Sequence, residues 1–156
     1  MSDESKELET QLDDYKKKVK TDLVAFVELE KELQFTARCT GGYTIEYDAE
    51  VQWGIMPTDS LLTSIAACMA IDMVSFLRKM RCEISDFKIK ASAQRNPTPP
   101  QYFTAVDLFI TIKGKGIDEK KMDRAVSLSK DKYCSVYHTC RKDMQHTVKY
   151  EIIHED

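Results

Sequence analysis

The chain of 156 residues contains little glycine and little proline, with five and four residues respectively. This scarcity excludes a collagen-like chain and a low-complexity chain. Basic residues are also not in excess, because the formal net charge is -3 at pH 7. A general nucleic-acid-binding protein needs a basic surface to displace counterions, so the composition argues against that class of protein.

Features of exported and membrane proteins are missing as well. The chain begins with the polar and acidic segment MSDESKELET, whereas a secretory signal has basic residues followed by an apolar run. The longest apolar stretch runs from Leu61 to Leu77, and Asp72 within it would be costly in a lipid bilayer. We therefore expect a cytoplasmic protein without a membrane span. In that compartment its five cysteines are expected to be free, redox-active or metal-bound.

The composition that remains is typical of one globular domain, with 42% hydrophobic and 31% charged residues. Near the start, residues 4–19 carry apolar side chains at intervals of four and three, which predicts a helix with one apolar face. This helix is expected either to pack on its own domain or to cover a neighbouring subunit. We predict an N-terminal helical extension over residues 1–20 and a single domain over residues 21–156.

The first half of the domain combines strand patterns with one long helix. Branched and aromatic residues predict three short antiparallel strands between residues 23 and 49. A helix over residues 59–80 follows Pro57, with Thr58 or Asp59 available as its N-cap. Because this helix is apolar on nearly every face, we expect protein to surround it.

The second half contains two long strands, two helices and a final strand. The two long strands are predicted over residues 83–95 and 102–113, and the final strand over residues 146–155. The first of the two helices is capped by Asp118, and the second, short one starts near Tyr133. Groups of strands separated by helices in this order indicate an α+β fold.

Cys68 lies inside the long apolar helix, and Asp72 shares its helical face one turn later. A carboxylate on an apolar helix is costly unless it is paired or hydrated, so a polar spot is predicted beside Cys68. The alternative is that Cys68 is a small buried hydrophobic residue, as free cysteines usually are.

The short predicted helix starts near Tyr133 and Cys134, so Cys134 lies at a helix start. Free N–H groups and the positive dipole end at a helix start would stabilise a thiolate there, and Lys130 and Lys132 add positive charge nearby. The alternative is an inert thiol at a shielded helix end.

A metal site in the same segment is only weakly indicated. Cys134, His138 and Cys140 are close in sequence, and His146 follows, but the paired spacings typical of structural zinc sites are missing. His146 and His154 fall in the final predicted strand and are expected at the surface. No role is predicted for Cys39, Cys82 or Cys140.

Two segments carry recognisable motifs. In MPTDSLLTSIAACMAID, a proline and an acidic residue precede an apolar run that ends in small–small–Cys; in SLSKDKYCSVYHT, a cysteine follows tyrosine and opens a short helix. These motifs, their order and their spacing resemble those of the OsmC/Ohr family. The continuation from Cys68 to Asp72 resembles the YhfA-type branch of that family, and the resemblance covers residues 22–154.

This resemblance implies an OsmC-like α+β fold, with antiparallel sheets around a long buried central helix in an intertwined homodimer. It also implies a thiol-dependent peroxidase that reduces organic hydroperoxides in oxidative and osmotic stress defence. Cys68 would be the peroxidatic cysteine, oxidised to a sulfenic acid. Cys134 would resolve that sulfenic acid as a disulfide, which a dithiol reductant then reduces. The family's reaction implies no metal and no organic cofactor.

The sequence departs from the family pattern beside the first motif. Peroxidatic members carry Glu directly after the proline, where this chain has Thr58, with the acid one residue later at Asp59. Those members also hold the thiolate with an Arg on an early strand, and Arg38 is the arginine of the N-terminal strands. The resemblance therefore implies catalytic roles for Asp59 and Arg38, whereas their alternatives are a plain N-cap and a solvated strand residue.

Two other functions remain open from the sequence. One is a non-catalytic dimer that binds a small ligand, with the cysteines lining an apolar pocket; the other is a metal-binding thiol protein. A two-cysteine peroxidase requires the two sulfurs to reach disulfide distance, with Cα atoms within roughly 7 Å. A wide gap filled by apolar side chains would favour ligand binding instead.

Overall fold

The computed structural model of the chain describes residues 19–155. These residues divide into two units, of which the first ends at Leu61 and the second begins at Leu62. The predicted N-terminal helical extension lies outside the described residues, except for its last two positions.

The first unit contains one antiparallel sheet of three strands, in the order β1-β2-β3. The strands are β1 (Phe26–Lys31), β2 (Gln34–Arg38) and β3 (Thr44–Asp48). Gly41 and Gly42 connect β2 to β3 with φ angles of 98° and 86°, a backbone region that glycine adopts without steric cost. The three predicted antiparallel strands are confirmed.

Helix α1 (Pro57–Lys79) follows this sheet. Proline suits the first helical position because its φ is already helical and its missing N–H has no partner there. The N–H groups of Asp59 and Ser60 donate to the Met56 carbonyl at 3.0 and 3.1 Å, so the first turn is already formed at these residues. The prediction that Thr58 or Asp59 is the N-cap is therefore wrong. Both lie inside the first turn, where the Asp59 carboxylate complements the positive end of the helix dipole.

Within the single chain, α1 is buried along one face rather than all round. Its buried side chains are Ile65, Met69, Asp72, Met73, Ser75 and Leu77. By contrast, Ile71 is 56% exposed. By length and composition alone α1 could cross a membrane, but the core helices of soluble proteins pass the same test. The buried apolar side chains of α1 belong to the core of the second unit, as expected for a core helix.

The second unit contains a mixed sheet in the order β4-β5-β6. Its strands are β4 (Glu83–Arg95), β5 (Phe103–Lys115) and β6 (Gln145–His154). Strands β4 and β5 are antiparallel, whereas β6 runs parallel to β5. The expectation of antiparallel sheets is therefore wrong for this last pair. The reason is the connection between β5 and β6, because a helical crossover returns the chain in its original direction.

That crossover consists of α2 (Glu119–Leu128), a π-helical turn (Ser129–Tyr133) and the short helix α3 (Ser135–Thr139). Asp118 caps α2 as predicted, with its carboxylate accepting the Lys121 N–H at 2.8 Å. The π-helical turn was not predicted from the sequence.

The core of the second unit lies between its helices and one face of the sheet. Strand β5 alternates between buried and outward positions along most of its length, as a sheet with one covered face requires. The fully buried side chains of this core include Met69, Met73, Val106, Ile110, Ile112 and Met122. This packing fixes the positions of α1 and of the β5–β6 crossover, which carry the polar groups of the site.

Candidate active site

Cys68 and Asp72 lie one turn apart on the same face of α1, as their spacing predicts. Cys68 is half-buried, so its thiol is within reach of solvent. Asp72 is 1% exposed, which makes it a charged group in the interior of the unit. The predicted polar spot on this apolar helix is therefore present, but it is enclosed by protein.

Cys134 lies at the junction between the π-helical turn and α3, where it is fully buried. Its N–H donates to the Ser129 carbonyl at 2.8 Å, the bond that closes the turn. Ser129 and Cys134 are thus held at the two ends of one turn. Single π-helical turns of this kind are frequent at functional sites.

The fold brings these side chains together within the second unit. The sulfurs of Cys68 and Cys134 and a carboxylate oxygen of Asp72 all lie within 4.8 Å of one another. Ser129 Oγ donates to Asp72 Oδ2 at 3.0 Å, and Ser135 Oγ lies 4.0 Å from Cys68 Sγ. Two thiols, one carboxylate and two hydroxyls therefore form a single cluster.

The charged group placed beside the two sulfurs is a carboxylate. Burial raises the pKa of Cys134 to about 12, and the neighbouring Cys68 and Asp72 act in the same direction, whereas the N–H of Tyr137 acts against them. The sequence predicted the opposite, a thiolate stabilised at a helix start. That prediction is wrong because the loss of hydration outweighs the help that one turn of helix provides.

The two lysines expected to support Cys134 have other partners. Lys130 Nζ donates to the His146 carbonyl at 3.1 Å. The ammonium group of Lys132 lies 5.1 Å from the centre of the Tyr133 ring. The Lys130 ammonium group therefore contacts a carbonyl of β6, and that of Lys132 contacts an aromatic ring.

Arg38 and Asp59 belong to the first unit. Arg38 is exposed at the end of β2, where it pairs with Phe26 and Thr44 in the sheet. Asp59 lies in the first turn of α1. The residues of the cluster all belong to the second unit.

The histidines of the C-terminal segment do not join a thiol cluster in the described part of the chain. The group of potential ligands that does come together is Cys68, Asp72 and Cys134. The thiol of Cys140 instead donates to the Val136 carbonyl at 3.4 Å. The weakly indicated site of Cys134, His138, Cys140 and His146 is thus not formed.

His146 is half-buried rather than at the surface, so its predicted exposure is wrong. Its ring stacks on that of Tyr137 with centroids 4.4 Å apart. Burial lowers its pKa to about 4, with a smaller contribution from Lys130 in the same direction and one from Asp107 against it. His154, by contrast, is exposed as predicted.

Ser129 and Ser135 were not identified as site residues from the sequence. The sequence feature that could have identified Ser129 is its spacing, because it continues the buried face of α2 formed by Met122 and Ala125. A hydroxyl on such a face needs a partner, and Asp72 provides one. The sequence contained no comparable signal for Ser135.

Comparison with known proteins identifies the family. A family model described as OsmC-like protein matches residues 48–149, which is more than half of the chain. The chain belongs to the OsmC-like family. Protein YhfA of Escherichia coli strain K12, an OsmC-like relative, is 34% identical over 97 residues, which cover 62% of this chain and 72% of YhfA.

Solved structures agree with this assignment of the OsmC-like fold. A hypothetical protein from Aquifex aeolicus VF5 matches with a TM-score of 0.80 and 28% identity, covering 88% of this chain and 100% of that protein. An organic hydroperoxide resistance protein, OsmC, from Legionella pneumophila matches with a TM-score of 0.60 and 15% identity over 86% of this chain and 98% of that protein. At that lower identity the likeness concerns the fold alone.

Proposed function

We propose that this OsmC-like protein is a thiol-dependent peroxidase that reduces organic hydroperoxides through Cys68 and Cys134. The observation that carries the proposal is the approach of the two sulfurs to within 4.8 Å, although their residues are far apart in sequence. The half-buried Cys68 suits the first step because an incoming peroxide can reach it. The substrate class follows the family resemblance, and proteins described as organic hydroperoxide resistance proteins share the fold.

In the proposed reaction Cys68 loses its thiol proton and its sulfur attacks one peroxide oxygen. The O–O bond breaks, and the leaving alkoxide takes up that proton and departs as an alcohol. Cys68 becomes a sulfenic acid. The Cys134 sulfur then attacks the Cys68 sulfur, which forms the disulfide and releases water. A dithiol reductant restores both thiols by exchange. A disulfide S–S bond is about 2.05 Å long, so the sulfurs must approach one another further in the second step.

A positive charge is needed to hold the attacking thiolate, and Asp72 has the wrong sign. We assign that support to Arg38, with Asp59 as its companion carboxylate, as the family resemblance implies. An arginine is suited to this task because it stays protonated at every physiological pH.

The alternative of a non-catalytic ligand-binding dimer has less support. The second unit has an apolar cavity of about 380 Å³ between α1 and β4, lined by residues that include Leu62, Ala66, Phe87 and Ile89. Neither Cys68 nor Cys134 lines this cavity. The short distance between the sulfurs also contradicts the wide apolar gap that a ligand pocket between them would need.

We further propose that the active form is a cytoplasmic homodimer, as the resemblance implies. Apolar side chains are exposed in both units, including Phe26 at 64%, Leu29 at 62% and Ile71 at 56%. Large exposed apolar side chains within one unit are typical of a surface that another chain covers.

The peroxidase proposal is tested by counting free thiols after the reduced protein is mixed with an alkyl hydroperoxide. All five cysteines are free in the structure. We expect the loss of two titratable thiols per chain, with Cys68 and Cys134 joined in the disulfide peptide. Cys134→Ser is expected to lose only the Cys68 thiol, and Cys68→Ser none.

Cys140→Ser serves as the matched control, because its thiol bonds within α3, and it is expected to form the disulfide at the rate of the unmodified protein. Arg38→Ala should slow the first step, whereas Arg124→Ala, on the exposed side of α2, should not. If Cys68 and Cys134 both stay titratable in the presence of hydroperoxide, the proposed function is wrong.

A further inference from the structure

Cys68, Asp72 and Cys134 present three donor atoms of metal-binding type in one place. The two sulfurs and one carboxylate oxygen lie within 4.8 Å of one another. We propose that, with both thiols reduced, these three side chains bind one divalent ion of the zinc class. This site goes beyond the proposed peroxidase, and it departs from the sequence-based expectation that no metal is involved.

The spacing of the donors fits a tetrahedral ion after a small adjustment. Zinc bonds of about 2.3 Å to sulfur and 2.0–2.2 Å to oxygen place neighbouring donors roughly 3.5–3.8 Å apart. The longest separation in the cluster is at most 4.8 Å, so it has to shorten by only about 1 Å. Rotation of a cysteine or aspartate side chain is enough for a change of that size.

The donor types favour zinc over magnesium or calcium. Thiolates are soft ligands that select zinc-like ions, whereas magnesium and calcium are held almost wholly by oxygen ligands. Two sulfurs and one carboxylate also make three protein ligands, the number found in zinc sites that keep a position open. Cys68 is the half-buried residue of the three, whereas Asp72 and Cys134 are buried.

Groups around the cluster would orient the ligands. Ser129 Oγ donates to Asp72 Oδ2 at 3.0 Å, and both residues are buried. The Tyr137 N–H bonds to the Cys134 sulfur, a contact that favours the thiolate form. Such outer hydrogen bonds fix the orientation of metal ligands and contribute to affinity.

The negative charge of the cluster explains why it would bind a cation. Asp72 lies in an apolar helix and its carboxylate faces two thiols, an arrangement that disfavours ionisation of Cys134. A divalent ion reverses that effect because it attracts all three donors at once and can deprotonate a thiol outright. The same carboxylate that hinders an isolated thiolate therefore helps to bind a metal.

The test titrates the reduced full-length protein with Cd²⁺ in the absence of oxygen and peroxide, following the ultraviolet charge-transfer absorption of cadmium–thiolate bonds. We expect saturation at one ion per chain. Cys68→Ser and Cys134→Ser should each remove most of this absorption, while the matched control Cys140→Ser should leave it unchanged.

Zn²⁺ affinity is then measured by competition with a chromophoric chelator. Asp72→Asn, which keeps the shape of the side chain, is expected to weaken Zn²⁺ binding at least as much as Ser129→Ala, for which about 10–100-fold is expected. Far-ultraviolet circular dichroism checks that each variant is folded. If Asp72→Asn does not fold, Ser129→Ala still tests the site, since it keeps all three ligands.

Absence of saturable binding by the unmodified protein would overturn the proposal, and so would an equal loss in Cys140→Ser. If Asp72→Asn and Ser129→Ala both bind Zn²⁺ with unchanged affinity, the Asp72 carboxylate is not a ligand, and the proposal is overturned as well. The outcomes are separate from those of the peroxidase test. If the protein binds zinc but keeps its thiols in hydroperoxide, the metal site is supported and the peroxidase is refuted. If it forms the disulfide but binds no zinc, the peroxidase is supported and the metal site is refuted.

Discussion

At the scale of single residues, burial changes the chemistry of Cys134 and His146. Each has a polar group that water would hydrate in an unfolded chain and that protein surrounds here. For Cys134 the result is a pKa raised to about 12, so its thiol is protonated at neutral pH. The burial of the two residues agrees with the proposed roles, because Cys68 is the half-buried sulfur that meets the peroxide.

His146 provides a prediction about pH at the same scale. Burial lowers its pKa from 6.5 to about 4, with Lys130 lowering it further and Asp107 raising it. In the unfolded chain the imidazole binds a proton at a higher pH than in the folded protein. The free energy of unfolding therefore falls as the pH decreases from about 6.5 to about 4.

The measurement compares urea unfolding of the unmodified protein and of His146→Gln at several pH values between 7 and 4. Carboxylates titrate in the same range in both proteins, so the difference between the two curves isolates the imidazole. We expect the unmodified protein to lose more stability on acidification than His146→Gln. His154→Gln, at an exposed position, is the control and should follow the unmodified protein. Parallel curves for the unmodified protein and His146→Gln would contradict the prediction.

At the scale of elements, the site depends on how α1 and the β5–β6 crossover are placed against one sheet. Helix α1 carries Cys68 and Asp72, and the π-helical turn carries Ser129 and ends at Cys134. Neither element holds the site alone. The core that both elements form with β5 holds them in place. Side chains on the buried face of β5 should therefore contribute more to stability than side chains on its outward face.

Ile110 and Phe109 test this difference within one strand. Ile110 is fully buried, whereas the adjacent Phe109 points to the other face and is 42% exposed. Ile110→Ala removes buried methyl groups and leaves a cavity, which is expected to lower the free energy of unfolding by about 2–5 kcal/mol. Phe109→Ala should have a clearly smaller effect although it deletes more atoms. Chemical denaturation measures both, and equal losses would contradict the placement of the core on the Ile110 face.

Most of these elements could be predicted from local patterns. The alternation of β5, the proline at the start of α1 and the Asp118 cap each act over a few residues, and each predicted its element. The N-cap of α1 could not be chosen correctly, because Pro57 itself takes the first helical position. The parallel direction of β6 was also missed, since strand direction depends on the whole connection rather than on the strand.

At the scale of the whole molecule, the proposed homodimer explains why α1 exposes apolar side chains on the face away from its own core. Ile71 lies on that face and is 56% exposed. A charge there would have to be buried when a second chain covers the helix, which is costly without a partner charge.

We therefore expect Ile71→Glu to weaken the dimer, with a shift toward monomer in sedimentation velocity experiments at micromolar concentration. Lys142→Glu, at an exposed polar position, is the control and should leave the sedimentation profile unchanged. A monomeric unmodified protein, or an unchanged dimer in Ile71→Glu, would contradict the proposed assembly.

The sequence by itself determined the α+β class, the order of the described elements and the two cysteines of interest. These follow from patterns of a few residues, namely apolar periodicity, capping chemistry and the two family motifs. The tertiary structure decided that Asp72 faces both sulfurs, that Ser129 holds Asp72 and that Cys134 is too buried to ionise readily. The physical reason is that desolvation and charge pairing are sums over side chains from distant parts of the chain, which meet only when the core is formed.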